Sequence, residues 1–200
     1  MFILDSNLTM KQDVIKICQT AYYELKRINC IRRYLTEDAA KQLVASYGLF
    51  RLDCCNSLFM GTPNSVNQPM QKVQNTAARL ILRAPCHQNC TPLLQQLHGL
   101  LISERLKYKT ACMCYNAIAG SAPSYLSELL HLYSPSRSLH SSSDTRMLKL
   151  QRFNRKTHGF RTFSHFGPHI GNNLPPRHQA LCNSHFLQKQ THEISLLEIF

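Results

Sequence analysis

The 200-residue chain has no tryptophan, only 11 acidic residues against 23 lysines and arginines, and no adjacent pair of aspartates. Each shortage excludes something. Asp5, Asp13, Asp38, Asp53 and Asp144 stand isolated, so nothing in the sequence assembles the clustered carboxylates by which two-metal polymerases and nucleases hold their ions. A Gly-rich phosphate loop, a Gly-X-Ser-X-Gly elbow and a His-Glu-X-X-His helix are all absent. No catalytic residue is therefore assigned, and no cofactor is expected. No uninterrupted apolar run approaches the roughly 20 residues a bilayer span needs. The uncharged stretch Thr110–Ser127 is broken by Asn116, Ser121, Pro123 and Ser124, so no membrane partner is expected.

Cysteine is plentiful but unpatterned. The nine cysteines are an odd number and are scattered, unlike a disulfide framework. Met1-Phe2-Ile3-Leu4 runs at once into Asp5, which is not a secretory leader pattern. Reduced thiols and an intracellular location, cytoplasm or nucleus, are the expectation. Cys54-Cys55 and Cys112/Cys114 read as small apolar helix residues. Cys86 and Cys90 with His98 downstream have the right atoms for zinc. A second ligand pair at matching spacing is lacking, so no metal site is assigned.

What is present is apolar residue and positive charge. Hydrophobic residues make up 44% of the chain, enough for a packed core. The formal charge of +12 favours a polyanionic partner, nucleic acid ahead of an anionic membrane surface. A basic surface that engages nothing is the plainer alternative.

Helical periodicity dominates. Val14, Ile17, Cys18, Ala21, Leu25 and Ile28 form one stripe of a helix from about Thr9 to about Tyr34. Lys26, Arg27, Arg32 and Arg33 gather at its end, where cations complement the helix dipole or meet phosphate; the sequence leaves both open. Thr36 followed by Glu37 and Asp38 is a strong helix start. That helix is expected to continue to Met60, weakened by roughly 1 kcal/mol at Gly48. Gly61, Thr62 and Pro63 make a tight turn, with Gly61 in left-handed backbone. A helix over Val66–Ala84 follows, capped by Ser65 and ended by Pro85. Its apolar stripe is Val66, Met70, Val73, Ala77 and Leu80–Ile81; its polar side is Gln71, Lys72, Gln74, Asn75, Arg79 and Arg83. Two helices so tightly joined are expected to pack as an antiparallel hairpin. Shorter helices are predicted from Thr91, as its cap, to about His98, from Ser103 to Gly120 and from Pro123 to Leu130. The fold expected is an all-α helical bundle over residues 1–131.

Residues 132–178 differ in character. They carry eight basic residues against the single acid Asp144, with Phe153, Phe160, Phe163 and Phe166 interleaved. An irregular basic segment is expected there. Aromatics between cations suit a phosphate backbone with bases to stack on, although phenylalanines anchoring a basic loop to the bundle fit equally. Residues 179–200 form a divergent tail.

Several blocks carry a family resemblance. Arg51-Leu52-Asp53-Cys54-Cys55-Asn56-Ser57-Leu58, then Gly61-Thr62-Pro63, then Met70-Gln71-Lys72-Val73-Gln74-Asn75-Thr76-Ala77-Ala78-Arg79-Leu80, resemble the reverse transcriptase of jockey-like LINE (non-LTR) retrotransposons. Thr91–His98, Glu104–Lys109, Ala122–Leu126, Arg137–Leu139, Gly159–Ser164 and Asn172–Pro175 look like that family's later blocks, in order. The resemblance implies the thumb and the region after it, C-terminal to a catalytic palm that this chain does not carry. It implies no catalysis by this chain, with an RNA or DNA template–primer duplex and the parent polymerase's palm as partners. Phosphate contacts would be Lys72, Arg79, Arg83, Arg152, Arg155, Lys156 and Arg161. The chain departs from the pattern at Cys54, where the family has Tyr, at Gly99-Leu100-Leu101, where it has Trp-Leu-Pro, and at Gly171, where it has Trp. Each buried aromatic so lost costs about 3–5 kcal/mol. Gln188-Lys189-Gln190-Thr191 reads as the family ending Phe-Lys-Ser-Lys-Leu translated one frame over, which implies a decayed, out-of-frame copy. The alternative function is a helical remnant, inert or protein-interacting, with no selected activity.

Overall fold

The computed structural model describes residues 9–54, 56–134, 147–152 and 159–173. They are all-α: eight α-helices joined by short 3₁₀ and π segments, with no strand among the described residues. None of these helices is long and apolar enough to cross a membrane. The described residues divide into two compact units, one through Arg105 and the other from Leu106.

In the first unit, α1 (Lys11–Ile31) buries Asp13, Val14, Cys18, Ala21, Leu25 and Ile28, the expected stripe with Asp13 added and Ile17 only half-buried. A 3₁₀ turn, Arg32–Tyr34, follows. Helix α2 (Glu37–Leu43) starts on Thr36, whose hydroxyl accepts from the Ala39 N–H at 3.3 Å, as its sequence predicts.

The expected single helix to Met60 is instead four pieces. After α2 come a π segment (Val44–Leu49), α3 (Phe50–Asp53) and a 3₁₀ turn (Asn56–Phe59), with extended backbone at Cys54. Gly48 has a packing reason: a Cβ there would lie 3.1 Å from Leu25 Cδ2, so glycine lets the π segment close onto α1. Phe59 and Leu49 are among the most deeply buried side chains.

Gly61 takes φ 72°, the left-handed geometry expected of it. The Ser65 cap does not form. Helix α4 runs Asn64–Leu82 behind Pro63, without a side-chain cap. The turn is held by Thr62 Oγ1, 2.7 Å from the Phe59 carbonyl and 2.9 Å from Asn67 Oδ1. Pro85 does not end this helix either; Arg83 does, in left-handed backbone at φ 51°. α4 touches α2 and the π segment, but its most extensive packing is against α1. Gln74, expected on the polar side, is fully buried. Its Nε2 donates to the Leu100 carbonyl at 2.8 Å, and Gln71 Oε1 accepts from the Ile102 N–H at 2.9 Å. These two amides clip the 100–102 segment to α4. Helix α5 (Cys90–Gln96) is capped by Asn89, which accepts from the Thr91 N–H, rather than by Thr91.

The second unit holds most of α6 (Ile102–Ile118), with α7 (Ser124–Ser127) and α8 (Phe163–Asn173). Ser127 Oγ donates to the Ala117 carbonyl near the end of α6. Helix α8 falls within the stretch expected to be irregular. Its Gly167 faces Cys114, whose Sγ would stand 2.6 Å from an added Cβ. An isolated antiparallel bridge joins Leu132 and Leu148, and the Asn172 side chain pairs with both the N–H and the carbonyl of Leu148 at 2.8 and 2.9 Å. The Leu148 side chain lies beside Gly171.

Candidate nucleic-acid interface

The basic residues at the end of α1 have distinct fates. Arg27 pairs with Glu24 at 3.1 Å and lies over the Tyr23 ring. Arg33 stacks on Tyr34. Arg32 is buried, and its guanidinium donates to the carbonyls of Leu35, Leu80 and Ile81. The last turn of a helix has carbonyls without intrahelical partners and carries negative partial charge. Arg32 thus satisfies and neutralises the C-terminal end of α4. Burial pushes its pKa down, the neighbouring Arg83 lowers it further, and Glu37 acts in the opposite sense. Neither role expected of Arg32 at the end of its own helix is the one found; it serves the end of α4 instead.

Arg83 is exposed and reaches to the turn after α1, donating through Nη2 to the Arg32 carbonyl at 3.2 Å. Arg79 is half-buried. One Nη donates to the Gln88 carbonyl at 3.1 Å, while its Nε is buried without a hydrogen-bond partner. Lys72 is exposed and shares the ridge of Thr76, Arg79 and Arg83 at helical spacing.

Between this ridge and α1 lies an open groove of about 750 Å³. One wall is Tyr22, Leu25, Lys26 and Asn29 of α1 with Arg32 of the following turn; the other is Thr76, Arg79 and Leu80 of α4 with Arg83 and Ala84 at its end and Cys86 beyond. Four cations line it and no acid does. Their summed charge far exceeds the roughly −0.5 of a helix C-terminus, so the groove is net positive.

The expected phosphate contacts divide accordingly. Arg79 and Arg83 meet in the groove, and Lys72 extends their ridge. Arg152 is exposed and Arg161 half-buried, both in the second unit. Arg155 and Lys156 lie outside the described residues. Tyr22 was not expected at the site, and Lys26 was expected only as one of four cations that complement the helix dipole or meet phosphate. Their signal is the spacing 22, 26, 29 on one face of α1, legible only once α4 is known to face it.

Elsewhere the chemistry is sparse. Among the described residues no group of three or more His, Cys, Asp or Glu side chains is placed to hold a metal ion. Cys86 is exposed and Cys90 buried. Cys54 is exposed at the end of α3 rather than on an apolar face. His165 and His169 stack on α8, ring centroids 6.4 Å apart; burial, then His169, lowers the His165 pKa. No family model, curated protein or solved structure matches the chain.

Proposed function

We propose that this chain is a non-catalytic, thumb-like portion of a non-LTR retrotransposon reverse transcriptase whose remaining capacity is sequence-independent binding of a nucleic-acid backbone. The supporting observation is the α1–α4 groove: four cations, no acid, open to solvent. Arg79, Arg83 and Lys72 are positioning contacts to phosphate rather than readers of bases. The chain carries no Asp-Asp pair, so polymerisation would belong to the palm of a parent polymerase. The resemblance in the 51–82 and later blocks supplies the polymerase context, and the groove supplies the binding.

Filter binding of a template–primer duplex over a salt titration tests this. Affinity is expected to fall linearly on a log–log plot, with a slope of about −0.9 per phosphate neutralised. Absence of binding at low ionic strength overturns the proposal.

A second reading has its own support. Arg32, Arg79 and Arg83 all bond to backbone carbonyls, which a helical remnant with no nucleic-acid role would also need. The same titration separates the two.

A further inference from the structure

The groove's shape and lining point beyond backbone binding. The groove is open to solvent and about 750 Å³ in volume, room for a base presented by one strand. A strand with an unpaired base can enter such a cleft. A double helix, with its bases turned inward, can offer it only phosphates from outside. Tyr22 stands on the α1 wall, 40% exposed, one helical turn before Lys26. From Tyr22 to Arg32 the wall runs roughly 15 Å at 1.5 Å per residue, long enough for a few nucleotides. Lys26 shares the Tyr22 wall, and Arg79 and Arg83 stand opposite. A positive groove that tracks the backbone, with an aromatic ring for bases, is the arrangement by which proteins hold single strands without reading sequence.

We propose that the α1–α4 groove is a site for single-stranded nucleic acid, with one base stacked on Tyr22 and the flanking phosphates held by Lys26, Arg79 and Arg83. This rests on the nucleic-acid reading above and narrows its substrate. Arg32 has no direct contact with the strand. By neutralising the α4 carbonyls it removes the negative end that would otherwise repel phosphate. Asn29 and Thr76, on opposite walls, supply polar side chains for sugar or base edges.

The test is fluorescence anisotropy on the full chain at fixed low salt, with a labelled twelve-nucleotide oligo-dT and a blunt twelve-base-pair duplex as probes. The single strand is expected to bind more tightly than the duplex, despite its lower charge density. Tyr22→Ala is expected to weaken the single strand about 5- to 150-fold, the range of one base–aromatic stack, and to leave the duplex unchanged. Tyr22→Phe is expected to restore it. Because Tyr22 is 40% exposed, the variant is expected to keep its far-UV circular dichroism and thermal midpoint. Equal or tighter duplex binding, or equal loss on both probes, overturns the single-strand site and leaves backbone binding standing. Binding of neither probe overturns both.

Discussion

The Arg105 guanidinium donates through Nε and one Nη to both carboxylate oxygens of Asp53, fifty-two residues away. The Nε contact measures 2.6 Å. Both side chains are shielded, 6% and 11% exposed, so the pair fixes the start of α6 against the end of α3. Asp53 looks isolated in sequence, and only the fold supplies its partner.

Removing one half of this pair strands the other. Asp53→Ala is expected to cost about 3–5 kcal/mol, because a buried charge loses its compensation. A double-mutant cycle with Arg105→Met, read by urea unfolding, checks it. A coupling energy near zero would show that the two side chains do not act together.

Arg32→Lys should also destabilise, although it keeps the charge. A lysine ammonium lacks the planar fork that serves three carbonyls at once. Each buried carbonyl left unsatisfied costs about 1–3 kcal/mol. The loss should show as faster amide exchange at the end of α4, since Leu80 and Ile81 lie in its last turn. Unchanged exchange there would remove Arg32 as that helix's cap.

Gly167→Ala tests the contact between α6 and α8. The new Cβ would meet Cys114 Sγ at 2.6 Å, so one element must shift, at about 1–3 kcal/mol. Adding Cys114→Ala should recover much of the loss. A fully stable single variant would mean that this packing is looser than the structure has it.

Cysteine reactivity should follow burial. The buried Cys18 thiol is pushed up to about 11 by desolvation. Desolvation, followed by Cys112, pushes Cys114 up to about 12. Both therefore stay protonated and inert near neutral pH, while exposed Cys30, Cys54 and Cys86 should alkylate first with iodoacetamide, as peptide mass spectrometry would show. Above the ordinary thiol value of 9.0 the unfolded chain loses these protons while the folded chain keeps them. This contribution is full below about 9 and is lost as pH rises toward 11 and 12. A denaturation midpoint that climbs over that range would contradict it.

Much of the fold is legible in local sequence. The α1 stripe, the Thr36 cap and the left-handed Gly61 all follow from residues within a turn or two of one another. Their physics is periodicity, capping and backbone permissiveness, which act over short separations. Two local expectations were displaced: Asn89 rather than Thr91 caps α5, and Arg83 rather than Pro85 ends α4.

The long-range pairs were not legible. Gln74 reads as a surface amide until Leu100 covers it. Gly48 reads as a weak spot until Leu25 needs its space. The α4 side of the groove was visible as a row of cations, and α1 as a row of apolar residues. Their facing one another, and so Tyr22 opposite Arg83, required α1–α4 packing. By itself the sequence determined an all-helical chain with excess positive charge, because helix formation and net charge depend on composition and near neighbours. The tertiary structure decided which cations seal helix ends and which line an open groove. Burial and partner carbonyls separate those roles, and they belong to residues roughly fifty positions away.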